Sequence, residues 1–187
     1  AKFVKTLGEG VSARPLCDLE PVLERAWAAR AGLGFVGKNG LVIVPGQGSF
    51  VLLGEVVTTL DLEADIPMAE RCGSCRRCID ACPTGAFSAP FVLDPVRCIS
   101  YLTIEDPLGP DDPARAGAGE HLFGCDDCQT VCPYNKTAPG PITKTRPFEP
   151  LASFHGRTLS DVVGFDDAAF EAFAVGSPLR RAGRVGL

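Results

Sequence analysis

Four cysteines, Cys72, Cys75, Cys78 and Cys82, stand in the order C-x2-C-x2-C-x3-C and are followed at once by Pro83. Thiolates at that spacing are ligands for iron–sulfur clusters. Each two-residue gap makes a tight loop that aims its sulfurs at one cube, while backbone N–H groups face the cluster sulfurs. The fourth cysteine sits on a helical turn aimed elsewhere, and Pro83, having no N–H, ends that turn. The run therefore asks for a second cluster. Cys98, Cys125, Cys128 and Cys132 supply it, and the last is again followed by proline, Pro133. The crossed rule for two-cluster runs assigns Cys72, Cys75, Cys78 and Cys132 to one 4Fe–4S cube and Cys82, Cys98, Cys125 and Cys128 to the other. Two tetrahedral zinc sites are the alternative for eight cysteines. Zinc has no use for a triplet at two-residue spacing or for two C-x3-C-P endings. Cys17 is left over and reads as a small apolar residue.

Two cubes in one module imply electron transfer. Arg76 and Arg77 flank the first set, and Asp126 and Asp127 flank the second. Charge near a cluster shifts its potential, so the aspartate-flanked cluster is expected to be the lower of the two.

Stepping outward, the chain of 187 residues is 45% hydrophobic, enough for one ordinary core and a smaller satellite. Its net charge of −5 gives no global basic footprint of the kind that binds nucleic acid non-specifically. Eight of the nine cysteines lie between positions 72 and 132, spaced for metal rather than for a secreted disulfide framework. That favours a reducing compartment and a cytoplasmic protein. There is no apolar run of membrane-spanning length: Val51–Leu60 is too short, and no membrane association is expected. Ala1 at the start and the helix-like LRRAGRVGL at the end read as a segment cut from a longer chain, the alternative being a trimmed complete protein.

The elements that must position the cysteines are short. Asp18 or Glu20 is a candidate cap for a helix entered through Pro21, with Val22, Leu23, Ala26 and Trp27 as its apolar stripe. Gly34–Gly40 frames a loop whose Lys38 and Asn39 are candidates for lining a site. Leu41–Val44 reads as a strand, as does Phe50–Leu60, where Glu55 is either an edge residue in water or part of a site. Ser100, close to Cys98, is another candidate. Pro110–Glu120 reads as a mobile loop, and Thr137–Pro150 as an extended connector. Thr158–Val163 and Asp166–Phe173 read as short helices, and Ser177-Pro178 as a helix start.

Several segments together resemble one family. PLCDLEPVLERAWAARAGLGFVGKN at 15–39, CGSCRRCIDACPTGAF at 72–87, RCISYLTIE at 97–105 and GCDDCQTVCPYN at 124–135 are similar to the epoxyqueuosine reductases, with a weaker likeness in GSPLRRAGR at 176–184. The resemblance implies an α+β fold: part of a nitroreductase-like cobalamin-binding domain over residues 1–65, a ferredoxin-like domain with two 4Fe–4S clusters over 66–136, and a connector with the start of a C-terminal helical region over 137–187. It implies reductive deoxygenation of epoxyqueuosine to queuosine at the wobble position of tRNA, electrons passing through the clusters to cobalamin. It also implies a cytoplasmic electron donor, a monomer, Asp18 as proton donor and Arg25 beside it.

Deoxygenating an epoxide needs two electrons and a proton, and a carboxylic acid suits the proton step. Yet a helix N-terminus holds a carboxylate ionised, so Asp18 as a helix cap conflicts with Asp18 as an acid. Arg180, Arg181 and Arg184 read either as tRNA contacts or as a solvated helix end. Two other functions stay open: a ferredoxin-type electron carrier, for which the Asp18–Asn39 segment has no use, and a reductive dehalogenase-like cobalamin enzyme acting on a small molecule.

Overall fold

The structure is a computed structural model, and it describes residues 6, 10–18, 20–106, 112–137 and 151–187. Mixed helix and strand are both present, in short pieces. Strand β1 (Ala13–Leu16) pairs antiparallel with β4 (Glu55–Thr58), Leu16 opposite Glu55. Between them lie helix α1 (Glu24–Arg30) and a small hairpin, β2 (Phe35–Val36) with β3 (Val42–Ile43). The hairpin is close-packed because glycine permits it. A Cβ on Gly34 would fall 2.4 Å from the Ile43 carbonyl oxygen. The apolar Phe35 and Ile43 turn away from solvent and pack with Cys132, Met68, Cys72 and Tyr134. Phe35 meets Tyr134 edge-on, ring centroids 5.3 Å apart. The hairpin is thus built onto the cysteine region rather than beside it.

The cysteine region holds α2 (Arg77–Asp80), the hairpin β5 (Phe87–Ala89) and β6 (Val92–Leu93), α3 (Ile99–Ile104), α4 (Asp127–Thr130) and α5 (Pro133–Lys136). Its own buried apolar residues are few, chiefly Ala86, Ile99, Leu102 and Ala118. A separate core forms at the C-terminal end. There α6 (Leu159–Val163), α7 (Asp167–Ala174), a 3-10 turn (Pro178–Arg181) and α8 (Gly183–Gly186) bury Val162, Phe170, Phe173, Ala174 and Leu179, with Phe154 and Phe165 packed on them. Thr158 and Asp161 form a reciprocal capping box, and the Asp166 carboxylate accepts from the Ala169 N–H. The helices expected at 158–163 and 166–173 and the helical start at Ser177-Pro178 therefore form.

Other expectations need correction. The first helix starts at Glu24, and neither Asp18 nor Glu20 caps it. Asp18 sits at φ 51, in the left-handed region, and Glu20 is ion-paired to Arg14 instead. Leu23 precedes the helix with no side-chain cap. The strand expected over 50–60 shrinks to Glu55–Thr58, because β1, its one partner among the described residues, is four residues long. The strand expected over 41–44 shrinks to Val42–Ile43, Val44 forming an isolated bridge with Gly48. Pro113–Ala118 is a 3-10 helix where a loop was expected: Pro113 opens it and the Asp112 carboxylate accepts from the Ala114 N–H at 2.7 Å. The expected connector at 137–150 lies, from residue 138 on, outside the described residues, as do most of the first nine. Among the described residues no helix is long and apolar enough to cross a membrane.

Candidate iron–sulfur centres

The two C-x2-C-x3-C segments fold alike. In each, the first cysteines lie in a loop and the next opens a one-turn helix, α2 or α4, and these two helices pack against each other. The local cause is the same in both. Arg76 and Asp126 begin the turns with their carbonyls accepting from Asp80 and Thr130, and the residues before Pro83 and Pro133 end them. Facing each other, the two segments exchange their last cysteines.

The result is two cavities. The first is lined by Cys72, Cys75, Cys78 and Cys132, with Lys38, Asn39, Arg77 and Tyr134 around them. The second, of about 240 Å³, is lined by Cys82, Cys98, Cys125 and Cys128, with Asn39, Ser100, Asp126 and Asp127. Each cavity thus gathers four thiols: the first takes three from the first run and Cys132, the second takes Cys125 and Cys128 with the isolated Cys98 and with Cys82 of the first run. Burial is the main force raising the thiol pKa values, opposed in part by nearby backbone N–H groups. Cys72 is pushed up to about 11, with Glu70 adding to the effect, and Cys128 to about 12, with Cys125, Cys78, Cys98 and Cys82 adding to it. Cys78 and Cys125 are raised from the same first cause, burial. Crowded, half-buried thiols of this kind are poor thiolates by themselves and become good ones when a multivalent cation arrives. Four sulfurs per cavity is the donor set of a cubane cluster, and the residues fit it.

A pH dependence follows. A thiol at 9.0 in the unfolded chain and higher in the folded one leaves the folded state holding more protons between those values. The stability these thiols contribute to the metal-free chain is therefore fully present below about pH 9 and is lost as pH rises toward 11–12. Once sulfur is bound to iron that titration is gone. Thermal melts from pH 8 to 11 should fall steeply for the metal-free chain and little for the iron-loaded one, and parallel curves would contradict this.

The glycine-framed loop expected near a site is used here to hold the cysteine loops. The Lys38 ammonium donates to the Gly73 carbonyl and, at 3.0 Å, to that of Cys75. Asn39, buried, donates through Nδ2 to the Cys128 carbonyl at 3.4 Å and lines both cavities. Ser100 accepts from the Cys125 N–H at 3.1 Å. These three residues are brought together around the cysteines. Glu55, Asp18 and Arg25 are not. Glu55 opens β4, with Oε2 buried and lacking a hydrogen-bond partner. Asp18 is exposed. Arg25 on α1 donates to the Gly40 carbonyl at 2.5 Å, steadying the same glycine loop. Replacing Lys38 by methionine removes two bonds from an ammonium, each of a class worth about 1.5–3 kcal/mol when intact. The expected outcome is a first cluster lost several times faster in air, read as the decay of its visible absorbance, with the second cluster little changed.

Residues 71–135 match the family described as a 4Fe-4S double cluster binding domain. An epoxyqueuosine reductase of Xanthomonas campestris is 46% identical over 171 residues, taking in 91% of this chain and 47% of that protein. One from Gloeobacter violaceus is 41% identical over 191 residues, taking in 100% of this chain and 60% of that protein. A crystal structure of epoxyqueuosine reductase with an epoxyqueuosine-modified tRNA-Tyr stem loop superposes with a TM-score of 0.86 at 34% identity, over 99% of this chain and 48% of that one. The chain is homologous to the epoxyqueuosine reductases. It spans about half the length of the curated relatives it matches.

Against that family background, two features absent from the sequence reading are visible. The turn at Gly48–Ser49 is tied to the end of the second run. Asn135 accepts from the Ser49 N–H at 2.6 Å and donates to the Gln129 carbonyl at 2.7 Å, while the Ser49 hydroxyl donates to the Gln129 side chain at 2.9 Å. A Cβ on Gly48, at φ +85, would fall 2.0 Å from Asn135 Oδ1, so this approach requires glycine. His121 lies against Cys125 and Asp127. The only sequence signal was that Asn135 and His121 sit within a few residues of cysteines. The three C-terminal arginines are each ion-paired within the chain: Arg180 with Glu171, Arg181 with Glu105, Arg184 with Asp167. That geometry fits the solvated-end reading.

Proposed function

We propose that the two cavities hold 4Fe–4S clusters and that the chain conducts electrons in a reductase converting epoxyqueuosine to queuosine in tRNA. The observation that carries this is the grouping of eight cysteines into two sets of four, in a chain that matches epoxyqueuosine reductases along nearly its whole length. In this reading residues 1–65 are part of a nitroreductase-like cobalamin-binding domain, 66–136 the double-cluster domain, and 137–187 a connector and the start of a helical region. The protein is cytoplasmic and monomeric, tRNA is the substrate, and a cytoplasmic donor supplies the electrons.

Cobalamin, when bound, supplies the two-electron reduction of the substrate's carbon–oxygen bonds. For that macrocycle the described residues offer an orphaned buried carboxylate oxygen on Glu55 and exposed apolar side chains at Trp27, Phe50 and Leu52, a mixture suited to an apolar ring fringed with amides. Cys72, Cys75, Cys78 and Cys132 hold one cluster, and Cys82, Cys98, Cys125 and Cys128 the other. Lys38, Asn39 and Ser100 fix the cysteine loops and limit water at the sulfurs. Asp18 delivers the proton to the departing oxygen, and Arg25 braces the glycine loop close by in sequence. The helix begins at Glu24 with Leu23 before it, so the capping role that conflicted with an acid role for Asp18 is not in use.

The test is anaerobic reconstitution of the full-length protein with iron, sulfide and cobalamin, followed by turnover on tRNA carrying epoxyqueuosine. Conversion to queuosine with one-electron signals from both clusters supports the reading. Failure of the full-length protein to take up cobalamin, with both clusters in place, would overturn it in favour of an electron carrier.

A further inference from the structure

We propose that His121 tunes the second cluster: its imidazole directs one N–H between Asp127 and the sulfur of Cys125, and so raises the reduction potential of the cluster held by Cys82, Cys98, Cys125 and Cys128. The inference rests on the ligand reading given above. His121 Nε2 lies 3.2 Å from Asp127 Oδ2 and 3.9 Å from Cys125 Sγ. The three ligand atoms of His121, Cys125 and Asp127 all lie within 4.8 Å of one another. Both neighbours of Nε2 are acceptors, a carboxylate and a sulfur, so the nitrogen between them carries the hydrogen. Asp127 orients the ring, and the backbone N–H of His121 donates to Ala118 at 3.1 Å, anchoring the residue from behind.

The imidazole is not what places Cys125. That cysteine is held from the other side, by α3. Its N–H donates to Ser100 Oγ at 3.1 Å, and the preceding Gly124 N–H donates to the buried Thr103 hydroxyl at 2.9 Å. Removing the ring should leave the ligand where it is and change only its electrostatics. An electron added to a cluster raises the negative charge on its sulfurs, so a donor to sulfur favours the reduced state. The same N–H also draws on the negative charge of the Asp127 carboxylate, one of two aspartates lining this cavity. Both effects act in the same direction. Aspartates alone would place the second cluster well below the first, and His121 narrows that gap. Among the described residues the first cavity has no such imidazole; Lys38 and Arg77 line it instead.

The experiment is an EPR-monitored redox titration of the anaerobically reconstituted chain, wild type against His121→Ala, His121→Phe and His121→Gln, with iron and sulfide counted first. Wild type lacking one of its two clusters would overturn the ligand reading itself. With both clusters present, the alanine and phenylalanine variants should show a reduced-to-oxidised ratio of the second cluster about three- to tenfold lower at the wild-type midpoint, the range expected for one lost hydrogen bond. The first cluster's wave should stay in place, and glutamine, which keeps an N–H donor, should restore most of the shift. Unchanged waves, an equal shift in both clusters, or loss of the second cluster in all three variants would each overturn the proposal, the last by making His121 a structural residue.

Discussion

Serine in place of both Cys72 and Cys132 is expected to leave about half of the cluster iron, whereas serine in place of both Cys128 and Cys132 leaves almost none. The reason is the crossing. Cys128 and Cys132 belong to one run of sequence but line different cavities, and Cys72 and Cys132 are sixty positions apart but line the same one. A cube that has already lost one ligand loses little more when a second goes, so two changes within one set are redundant. Changes across the two sets are additive, in the sense of a double-mutant cycle. Cys82 with Cys98 should behave like Cys72 with Cys132, and Cys82 with Cys78 like Cys128 with Cys132. Iron and acid-labile sulfide, counted after anaerobic purification, decide the matter. If Cys128/Cys132 keeps half and Cys72/Cys132 keeps almost none, the clusters are not crossed.

Asp18→Asn in the full-length protein should lower turnover on epoxyqueuosine-containing tRNA by about a hundredfold or more, the usual scale for losing a general acid. Asparagine is the informative change. The backbone at Asp18 has φ 51, a region that asparagine tolerates and alanine does not. Asp18→Ala should lose turnover too, with a small loss of stability added. Iron content and cobalamin content should match wild type in Asp18→Asn. Turnover unchanged under those conditions would remove Asp18 from the proton step. A rise in KM alone would give it a role in substrate binding.

The grouping of the cysteines was legible because their geometry is local. A C-x2-C loop and a C-x3-C-P turn are each set by a few dihedrals and a proline, and these survive any tertiary context. The capped C-terminal helices were legible for the same reason: Thr158 and Asp166 act on N–H groups three residues away. The first helix was misplaced because Asp18 and Glu20 were read as free to cap it. Asp18 instead takes a left-handed conformation, and Glu20 is drawn to Arg14. The strand at 50–60 was overextended because propensity reports what each residue allows, while strand length is set by the partner available.

Lys38 and Asn39 show the same division in the site. Their place in a glycine-framed loop marked them as residues that approach something. What they approach, the carbonyls of Gly73, Cys75 and Cys128, comes from how the Phe35–Ile43 hairpin docks on Cys132 and Tyr134. The sequence alone determined that this protein has eight cysteines spaced for two clusters, since residue type and spacing are covalent facts. The tertiary structure alone decided which side chains lie beside the two sets of cysteines: a lysine clasp on one, an imidazole at the other, and three arginines ion-paired to acids of the chain. The lysine contacts span 35 and 37 positions and the His121 contacts only four and six, but in both cases it is the folded conformation of the loops, not the spacing, that aims the side chain.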